Sequence, residues 1–256
     1  MTAGLLAASG VIGLCIGSFL TVVISRVPER ESLVRPRSHC RACQAPVAVR
    51  DNIPVFSWVW LRGRCRRCQA RITARYPLVE LATAGLFVGA ALRFGPSWEL
   101  PAFCAFGAAL LAISVIDLDT QLIHKRVFYP SLVVCAVLLA GAGIATGRWV
   151  DLERAAIGGV AGFLVLLVIH VVSPNGMGFG DVRLAGLIGM MLGWLGVREI
   201  VLGLFAAFLL ASVVGIGLMI TRIRGRKDAV PFGPFLAAGA LVAVLFGPAI
   251  LGAYGH

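Results

Sequence analysis

The sequence predicts an all-α fold, a polytopic membrane helix bundle of about eight transmembrane helices with one small polar loop domain. Composition is the first observation: 59% of the 256 residues are hydrophobic, only 14% are charged, and the mean hydropathy is +0.92. These values lie outside the range of soluble globular domains. The second observation is a series of long apolar runs, and the third is a single sizeable polar segment, residues 26–76.

Eight apolar runs are the candidate spans, since a helix needs about 20 apolar residues to cross the hydrocarbon core of a bilayer. The sixth run is short and rich in Gly and Met, and the third is also on the short side. The first run lacks the basic start and the cleavage site of a secretory signal, so we expect it to be a span. In chain order the runs are 4–25, 77–94, 100–116, 127–146, 155–172, 182–195, 199–221 and 232–251.

The positions of Lys and Arg predict the orientation of the spans, because short loops rich in these residues stay in the cytoplasm. Alternate loops hold 19 of the 23 basic residues, and with an even number of spans this places both termini outside. The loops on the cytoplasmic side are then 26–76, 117–126, 173–183 and 222–231. The net charge of +11 is explained by this topology and by attraction to anionic lipid. We therefore expect membrane lipids, and no nucleic acid, as partners.

The polar segment contains an internal duplication, in which "HCRACQAPV" at 39–47 is echoed by "RCRRCQARI" at 64–72. Each copy carries a Cys-x-x-Cys pair, and two such pairs are typical of a tetrahedral thiolate zinc site. A segment of about 50 residues with little core gains most of its order from such a metal. Disulfides or free thiols are the alternatives, and a reducing cytoplasm argues against disulfides. The predicted zinc ligands are Cys40, Cys43, Cys65 and Cys68.

Acidic side chains at the membrane edge form the second candidate site, because charged groups there are costly and usually functional. Asp117 closes the third span and Asp181 opens the sixth, so both reach the same depth on the same side. Two close carboxylates in a low dielectric share one proton, and such a pair can activate water against a peptide carbonyl, as in aspartic proteases. The alternative is that each acid caps a helix or pairs with Lys125, Arg126 or Arg183.

The glycines before Asp181, at 176, 178 and 180, would allow an extended peptide to approach the backbone closely. We expect substrate contacts at Gly178, Phe179, Gly180 and Arg183.

Single residues elsewhere carry weaker expectations. Glu80, at the start of the second span, pairs with an arginine of the basic loop or contacts substrate, and the sequence leaves both open. His170 is expected to pack or to form a hydrogen bond. Trp58, Trp60 and Trp194 are expected to be anchors at the membrane interface.

Motifs along nearly the whole chain resemble those of the type IV prepilin peptidases. These are bifunctional leader peptidases and N-methyltransferases of the GxGD class of membrane aspartyl proteases. The matching stretches are "GSFLTVVISRVP" at 17–28, the two Cys-x-x-Cys pairs flanking "IPVFSWVWLRGRC", "RYPLVE" at 75–80, "IDLDTQLI" at 116–123, "GMGFGDVRL" at 176–184 and "VPFGPFLAAG" at 230–239.

The resemblance implies that Asp117 and Asp181 are the catalytic acids. It implies prepilin or pseudopilin precursors as substrates, cut at the cytoplasmic face of the bacterial inner membrane after the glycine that ends a short basic leader. It also implies methylation of the new N-terminus from S-adenosylmethionine. The chain would then comprise a first transmembrane helix (1–25), a cytoplasmic zinc segment (26–76) and a membrane-embedded aspartyl protease bundle (77–256).

Several positions depart from the pattern of these peptidases, and none of them is a predicted catalytic acid. The changes in the opening motif bear on methylation more than on proteolysis, and the sequence has no dinucleotide-type glycine fingerprint for a methyl donor. The departures are Thr21 and Ser25 for an asparagine and a histidine or arginine, Gln44 and Gln69 for glycines, His124 and Lys125 for Pro-Asp, and Arg183 for lysine.

Two other classes of protein remain open from the residues alone. In a transporter, the two acids would form a proton relay, although no repeated pair of broken helices supports an inverted-repeat carrier. In a membrane scaffold of a pilus or secretion machine, the zinc segment would be the working part and the acids would be idle.

Overall fold

The structure is a computed structural model that describes residues 3–35, 37–173, 177–221 and 231–253. Within these ranges the chain is helical, without strands, and all eight predicted spans coincide with helices. A 3₁₀ turn, Val49–Asn52, and one short helix lie in the polar segment. The helices are α1 Ala3–Arg26, α2 Phe56–Trp60, α3 Arg75–Phe94, α4 Leu100–Thr120, α5 Lys125–Thr146, α6 Trp149–Val172, α7 Phe179–Leu195, α8 Val197–Ile220 and α9 Gly233–Ala253.

Seven of the described helices are long and apolar enough to cross a membrane. The exception among the eight predicted spans is α7, which has 17 residues and corresponds to the run that was already short in the sequence. Most of α7 is buried by other helices, including its last aromatic residue, Trp194. The expectation that Trp194 anchors the interface is therefore wrong, since its ring lies inside the bundle.

The chain divides into two compact units, Met1–Pro96 (unit 1) and Ser97–His256 (unit 2). In unit 1, α1 and α3 form an antiparallel pair whose backbones touch. A side chain on Gly13 would lie 2.6 Å from the Cα of Ala84, and one on Gly17 would lie 2.7 Å from the Cα of Glu80. Such close approach of small residues is a common way to hold membrane helices together.

The polar segment of unit 1 contains two turns of the same geometry, residues 39–47 and 64–72, which we call the hooks. In each hook the first cysteine donates its backbone N–H to an alanine carbonyl five residues later, over 2.9 Å in both cases. Each hook is also closed by an isolated antiparallel bridge, His39–Pro46 and Arg64–Arg71. The duplication in the sequence is thus a duplication in the structure.

Unit 2 contains two helix pairs whose backbones are in contact at glycines. In the α6–α7 pair, a side chain on Gly158 would lie 2.5 Å from the carbonyl oxygen of Gly189, and one on Gly162 equally close to that of Ala185. In the α8–α9 pair, a side chain on Gly239 would lie 2.5 Å from the backbone nitrogen of Ala207. The helices within each pair therefore pack in direct backbone contact, which leaves no room for side chains at these glycines.

The third pair of unit 2, α4 and α5, is joined by a short connection that begins where α4 ends. Gln121 stops α4 in the left-handed conformation (φ 53°) and donates its N–H to the carbonyl of Asp117. Helix α9 contacts both α4 and α7, so one helix from each pair meets at a common region.

An ion-pair cluster holds the other ends of α4 and α7. The guanidinium of Arg148, before α6, binds Glu99 (3.1 Å) and Asp151, and it lies 4.8 Å from the ring centroid of Trp194. Arg154 also pairs with Asp151. Since Glu99 precedes α4 and Trp194 lies in the last turn of α7, Arg148 joins the two helices that carry the predicted catalytic acids.

Candidate active site

Asp117 lies in the last turn of α4, and its side chain points into unit 2. The helix continues to Thr120, beyond the predicted end of the apolar run at residue 116. Because each helical residue turns about 100°, residues two apart point in roughly opposite directions. Asp117 is accordingly 4% exposed, whereas Asp119 is exposed. Of the two acids in "DLD", only Asp117 faces the interior.

Asp181 is the third residue of α7 and is 8% exposed. Gly178, in an extended conformation, precedes the helix, and the Asp181 N–H donates to the Gly178 carbonyl over 3.0 Å. The free N–H groups of a helix start carry partial positive charge, which favours an acidic side chain in the first turn. The glycine-rich turn thus delivers Asp181 to the buried end of α7.

Gly233, the first residue of α9, marks the point where the two acids meet. A side chain at this position would lie 2.6 Å from Oδ2 of Asp117 and 3.6 Å from Oδ1 of Asp181. The two carboxylates therefore border one small space. The structure brings together residues that are 64 positions apart in the sequence, as the predicted topology requires.

The hydrogen bonding of Asp117 is incomplete. Its Oδ2 is buried and has no hydrogen-bond partner among the described residues. Neither Asp117 nor Asp181 belongs to an ion pair within the same ranges. Buried polar atoms are nearly always satisfied, so an orphaned carboxylate oxygen beside a second carboxylate fits a site that holds water or substrate. The Asp117 carboxylate also accepts a hydrogen bond from the backbone N–H of Gly233 at the start of α9, so a cap-like bond stands beside the unpaired oxygen.

Phe179 is the first residue of α7, two positions before Asp181. Its ring is in edge contact with Phe163 (6.3 Å between centroids), and the ring of His170 lies 5.7 Å away. The guanidinium of Arg183 lies 4.7 Å from the centroid of the Phe179 ring, so Arg183 pairs with an aromatic face and not with Asp181. The side chain of Phe179 is nevertheless 41% exposed, which leaves an apolar surface available for contact.

Other predicted substrate-binding residues of unit 2 also lie close to Asp181. A side chain on Gly178 would lie 3.5 Å from its Oδ2, and one on Gly180 would lie 2.9 Å from Cβ of Ile123. The Nδ1–H of His170 donates a hydrogen bond to the Met177 carbonyl over 2.8 Å, which confirms the expectation that this side chain packs or forms a hydrogen bond. Gly176 lies outside the described residues. Substrate contact by Gly178, Phe179, Gly180 and Arg183 stays a prediction.

Glu80 belongs to unit 1, where its buried carboxylate has two partners. The Val55 N–H donates to Oε2 over 2.6 Å, and Ser18 provides a side-chain hydrogen bond. These partners differ from the arginine that the sequence suggested. Substrate contact by Glu80 remains a prediction.

The four hook cysteines form a cluster with the geometry of a metal site. Their Sγ atoms all lie within 4.8 Å of one another, and those of Cys40 and Cys68 are 3.8 Å apart. Sulfurs at about 2.3 Å from a tetrahedral zinc ion are separated by about 3.8 Å. The three other cysteines of the chain are not part of this cluster. The donor set and its spacing therefore fit a single metal ion.

Backbone N–H groups within the hooks favour the thiolate forms that a metal needs. The N–H groups of Cys43 and Ala42 lower the pKa of Cys40 to about 6, and those of Cys68 and Arg67 lower the pKa of Cys65. Thiolates, rather than thiols, are metal ligands. The first cysteine of each hook is thus prepared for coordination by its own turn.

Gly233 is the site residue that sequence reasoning did not predict. It stands in the quoted stretch "VPFGPFLAAG", but nothing in that stretch names a chemical role. One signal was available: Gly-Pro before an apolar run is typical of a helix start. This helix start follows the loop 222–231, which the sequence predicts to lie on the same side of the membrane as both acids.

Two protein families match the chain, one in each half. The bacterial peptidase A24 N-terminal domain matches residues 11–94, and the type IV leader peptidase family matches residues 104–220. The chain belongs to the type IV leader peptidase family. The boundary between the two matches falls at the boundary between unit 1 and unit 2.

Relatives of this leader peptidase family member carry the name prepilin leader peptidase/N-methyltransferase. The protein from Aeromonas hydrophila is 38% identical over 93% of this chain and 89% of its own length. The one from Burkholderia pseudomallei is 38% identical over 94% of this chain and 85% of its own length. The one from Bacillus subtilis is 32% identical over 95% of both chains. No solved structure matches the chain.

Proposed function

We propose that this leader peptidase family member is an aspartic endopeptidase that removes the short basic leader of prepilins or pseudopilins. Cleavage would take place at the cytoplasmic face of the bacterial inner membrane, with Asp117 and Asp181 as the catalytic pair. The observation that carries the proposal is the meeting of these two buried carboxylates at Gly233. The names of the relatives supply the substrate class.

The two acids divide the work of peptide hydrolysis. Because like charges at close range in a low dielectric cannot both persist, the pair holds one proton between its members. The charged carboxylate accepts a proton from water as that water attacks the scissile carbonyl, and the protonated carboxyl donates a hydrogen bond to the carbonyl oxygen. The missing side chain at Gly233 leaves space beside both groups for the water.

The residues around Asp181 suit an extended peptide. Gly178 exposes backbone next to the acid, Gly180 allows close packing against Ile123, and Phe179 offers a partly exposed aromatic ring. The guanidinium of Arg183 lies over one face of that ring. We infer that Phe179 contacts an apolar side chain of the substrate next to the scissile bond, and that Arg183 orients Phe179.

We propose further that zinc occupies the cluster of Cys40, Cys43, Cys65 and Cys68 and orders the polar segment. Four thiolates with tetrahedral spacing close the coordination shell of the ion, so the metal is structural and not catalytic. N-methylation of the new N-terminus from S-adenosylmethionine is the second proposed activity. It is supported by the names of the relatives.

Cleavage of a purified prepilin tests the function against the transporter and the scaffold, since neither of those would shorten the substrate. We expect Asp117→Asn and Asp181→Asn each to abolish cleavage, because each removes one proton-transfer group without changing its size. Asp119→Asn, two residues away on the exposed side of α4, is the matched control and should retain most of the activity. An inactive Asp119→Asn together with an active Asp117→Asn would refute the assignment.

A further inference from the structure

The exposed side of α2 carries an apolar surface within the polar segment 26–76. Phe56, Val59 and Trp60, which we call the α2 face, are all exposed, Trp60 by 71%. The rings of Phe56 and Trp60 stack with centroids 5.9 Å apart, so the two aromatic side chains form one continuous patch. Large contiguous apolar patches on a protein surface usually mark a site of contact.

The opposite side of α2 is fixed to the rest of unit 1, so the α2 face cannot turn inward. Ser57 is buried; its hydroxyl donates to the Arg50 carbonyl over 3.0 Å and accepts the Ile53 N–H over 3.0 Å. The Trp58 indole donates to the Ile72 carbonyl over 3.1 Å and packs against Gly63. These bonds tie α2 to the 3₁₀ turn and to the second hook.

The position of α2 along α3 places the α2 face at the level of a membrane surface. Val55, the residue before α2, donates to Glu80 over 2.6 Å. Glu80 is the sixth residue of α3, which at about 1.5 Å per residue is about 8 Å from the start of that helix. Since α3 is long and apolar enough to span a bilayer, α2 lies beside the first turns of a span. Tryptophan is enriched at this level of membrane proteins.

The charge of the surrounding surface selects the kind of lipid. Exposed arginines lie in the 3₁₀ turn and between the end of α2 and the end of the second hook, the two segments to which α2 is bonded. One acid of the 3₁₀ turn, Asp51, already forms a bidentate pair with Arg66. Arginines at a membrane surface attract anionic headgroups. They would repel a basic peptide, which disfavours the leader of a prepilin as the occupant. The exposed arginines of this surface are Arg50, Arg62, Arg64, Arg67 and Arg71.

We propose that the α2 face inserts into the boundary between headgroups and acyl chains of an anionic bilayer, the same bilayer that α1 and α3 cross. The hooks then lie against the membrane surface, held there by an aromatic anchor and by arginine–headgroup contacts. An interfacial helix of this kind gains free energy from both buried apolar area and charge attraction.

Fluorine NMR of the zinc-loaded full chain in lipid nanodiscs tests this placement. The chain has 5 tryptophans, which can be replaced by 5-fluorotryptophan, and Trp60→Phe assigns the Trp60 resonance by its loss. In phosphatidylglycerol nanodiscs, a lipid with a spin label high on its acyl chain should broaden this resonance more than a water-soluble gadolinium chelate does. In phosphatidylcholine nanodiscs, broadening by the lipid label should fall.

Two other tryptophans serve as internal controls. Trp58, in the same helix but hydrogen-bonded and partly covered, should be broadened less by either agent. Trp98, which is similarly exposed near the start of α4, should show no dependence on lipid charge. Broadening of Trp60 mainly by the gadolinium chelate would overturn the proposal, because the face would then lie in water. Protection from both agents would also overturn it, because a protein surface would then cover the face.

Discussion

Gly233 contributes to the candidate site through the side chain that it lacks. Replacing it with alanine would place a methyl group 2.6 Å from Oδ2 of Asp117. The Asp117 carboxylate would then have to leave its present position beside Asp181. Displacements of about 1 Å at reacting groups can reduce rates about 100-fold. We therefore expect Gly233→Ala to lower kcat for prepilin cleavage by about that factor, with little change in the melting temperature.

Gly252→Ala is the matched control for Gly233→Ala. It lies on the same helix, α9, but an added side chain would meet nothing within 4 Å. Cleavage by this variant should equal that of the unmodified protein. Full activity of Gly233→Ala would show that the acids do not require this close approach.

Gln69 occupies a backbone conformation that suits glycine better. It lies in the second hook at φ 59°, in the left-handed region, which costs an L-residue about 1 kcal/mol. We expect Gln69→Gly to relieve this strain and to make zinc about fivefold harder to remove with a chelator.

Gln44 is the equivalent residue of the first hook, at φ 56°, but its side-chain amide donates to the Arg41 carbonyl over 3.2 Å. Gln44→Gly would lose that bond and should gain less than Gln69→Gly. Easier zinc release from Gln69→Gly would contradict the strain argument.

Single residues differ in how far the sequence could define them. Asp117 and Asp181 were predictable because a carboxylate at the membrane edge is costly and therefore rarely without a purpose. The hydrogen-bond donor to Glu80 was not predictable, because it is the backbone N–H of Val55. Every residue except proline has such a group, so the sequence does not indicate which one is used. Gly233 was missed for a related reason: an absent side chain becomes informative only when its neighbours are known.

At the scale of helices, the contact between α6 and α7 depends on glycines in both. A side chain on Gly189 would overlap the carbonyl of Gly158. Overpacking of a tight interface costs about 1–3 kcal/mol. We expect Gly189→Ala to force the helices apart, to lower the melting temperature by several degrees, and to reduce cleavage because α7 carries Asp181.

Gly217→Ala provides the comparison for Gly189→Ala. Gly217 lies in α8, where an added side chain would meet no atom within 4 Å. Alanine has the higher helix propensity, so this variant should be neutral or slightly more stable. If the melting temperatures of the two variants were equal, the contact between α6 and α7 would not be limited by shape.

Helices were the most predictable level of the structure. Hydropathy alone located all eight long helices, because a bilayer demands continuous apolar runs of fixed length. Hydropathy placed the end of α4 too early, at residue 116, because the last turn of that helix carries Asp117 and Asp119. Polar residues interrupt an apolar run without interrupting the helical hydrogen bonds, so hydropathy underestimates helices that end in functional groups.

At the scale of the whole molecule, the two compact units differ in what stabilises them. We expect the polar segment of unit 1 to depend on a metal ion in the four-cysteine cluster, whereas unit 2 is a bundle of packed helices. Removing zinc, or replacing Cys40 and Cys68 with serine, should therefore loosen the polar segment and leave unit 2 unchanged. Hydrogen–deuterium exchange should rise in residues 38–72 and stay constant in α6 to α9.

Cys15→Ser is the control for this experiment, because Cys15 lies in α1 outside the cluster. Its exchange pattern should match that of the unmodified protein. Increased exchange throughout unit 2 after metal removal would mean that the metal supports the whole fold and not one segment.

The glycine contacts in unit 2 also determine which motions are open to the molecule. Because α6 and α7 are locked by shape, and α8 and α9 likewise, each pair moves as a rigid body while its internal contacts persist. Asp181 travels with the first pair, Gly233 with the second, and Asp117 with α4. Separating α4 from the α6–α7 pair would part the two carboxylates, whereas moving the α8–α9 pair would displace Gly233 and leave both acids in place. We therefore expect an entrance that opens between α4 and the α6–α7 pair to leave the site unable to hydrolyse a peptide until the two carboxylates meet again.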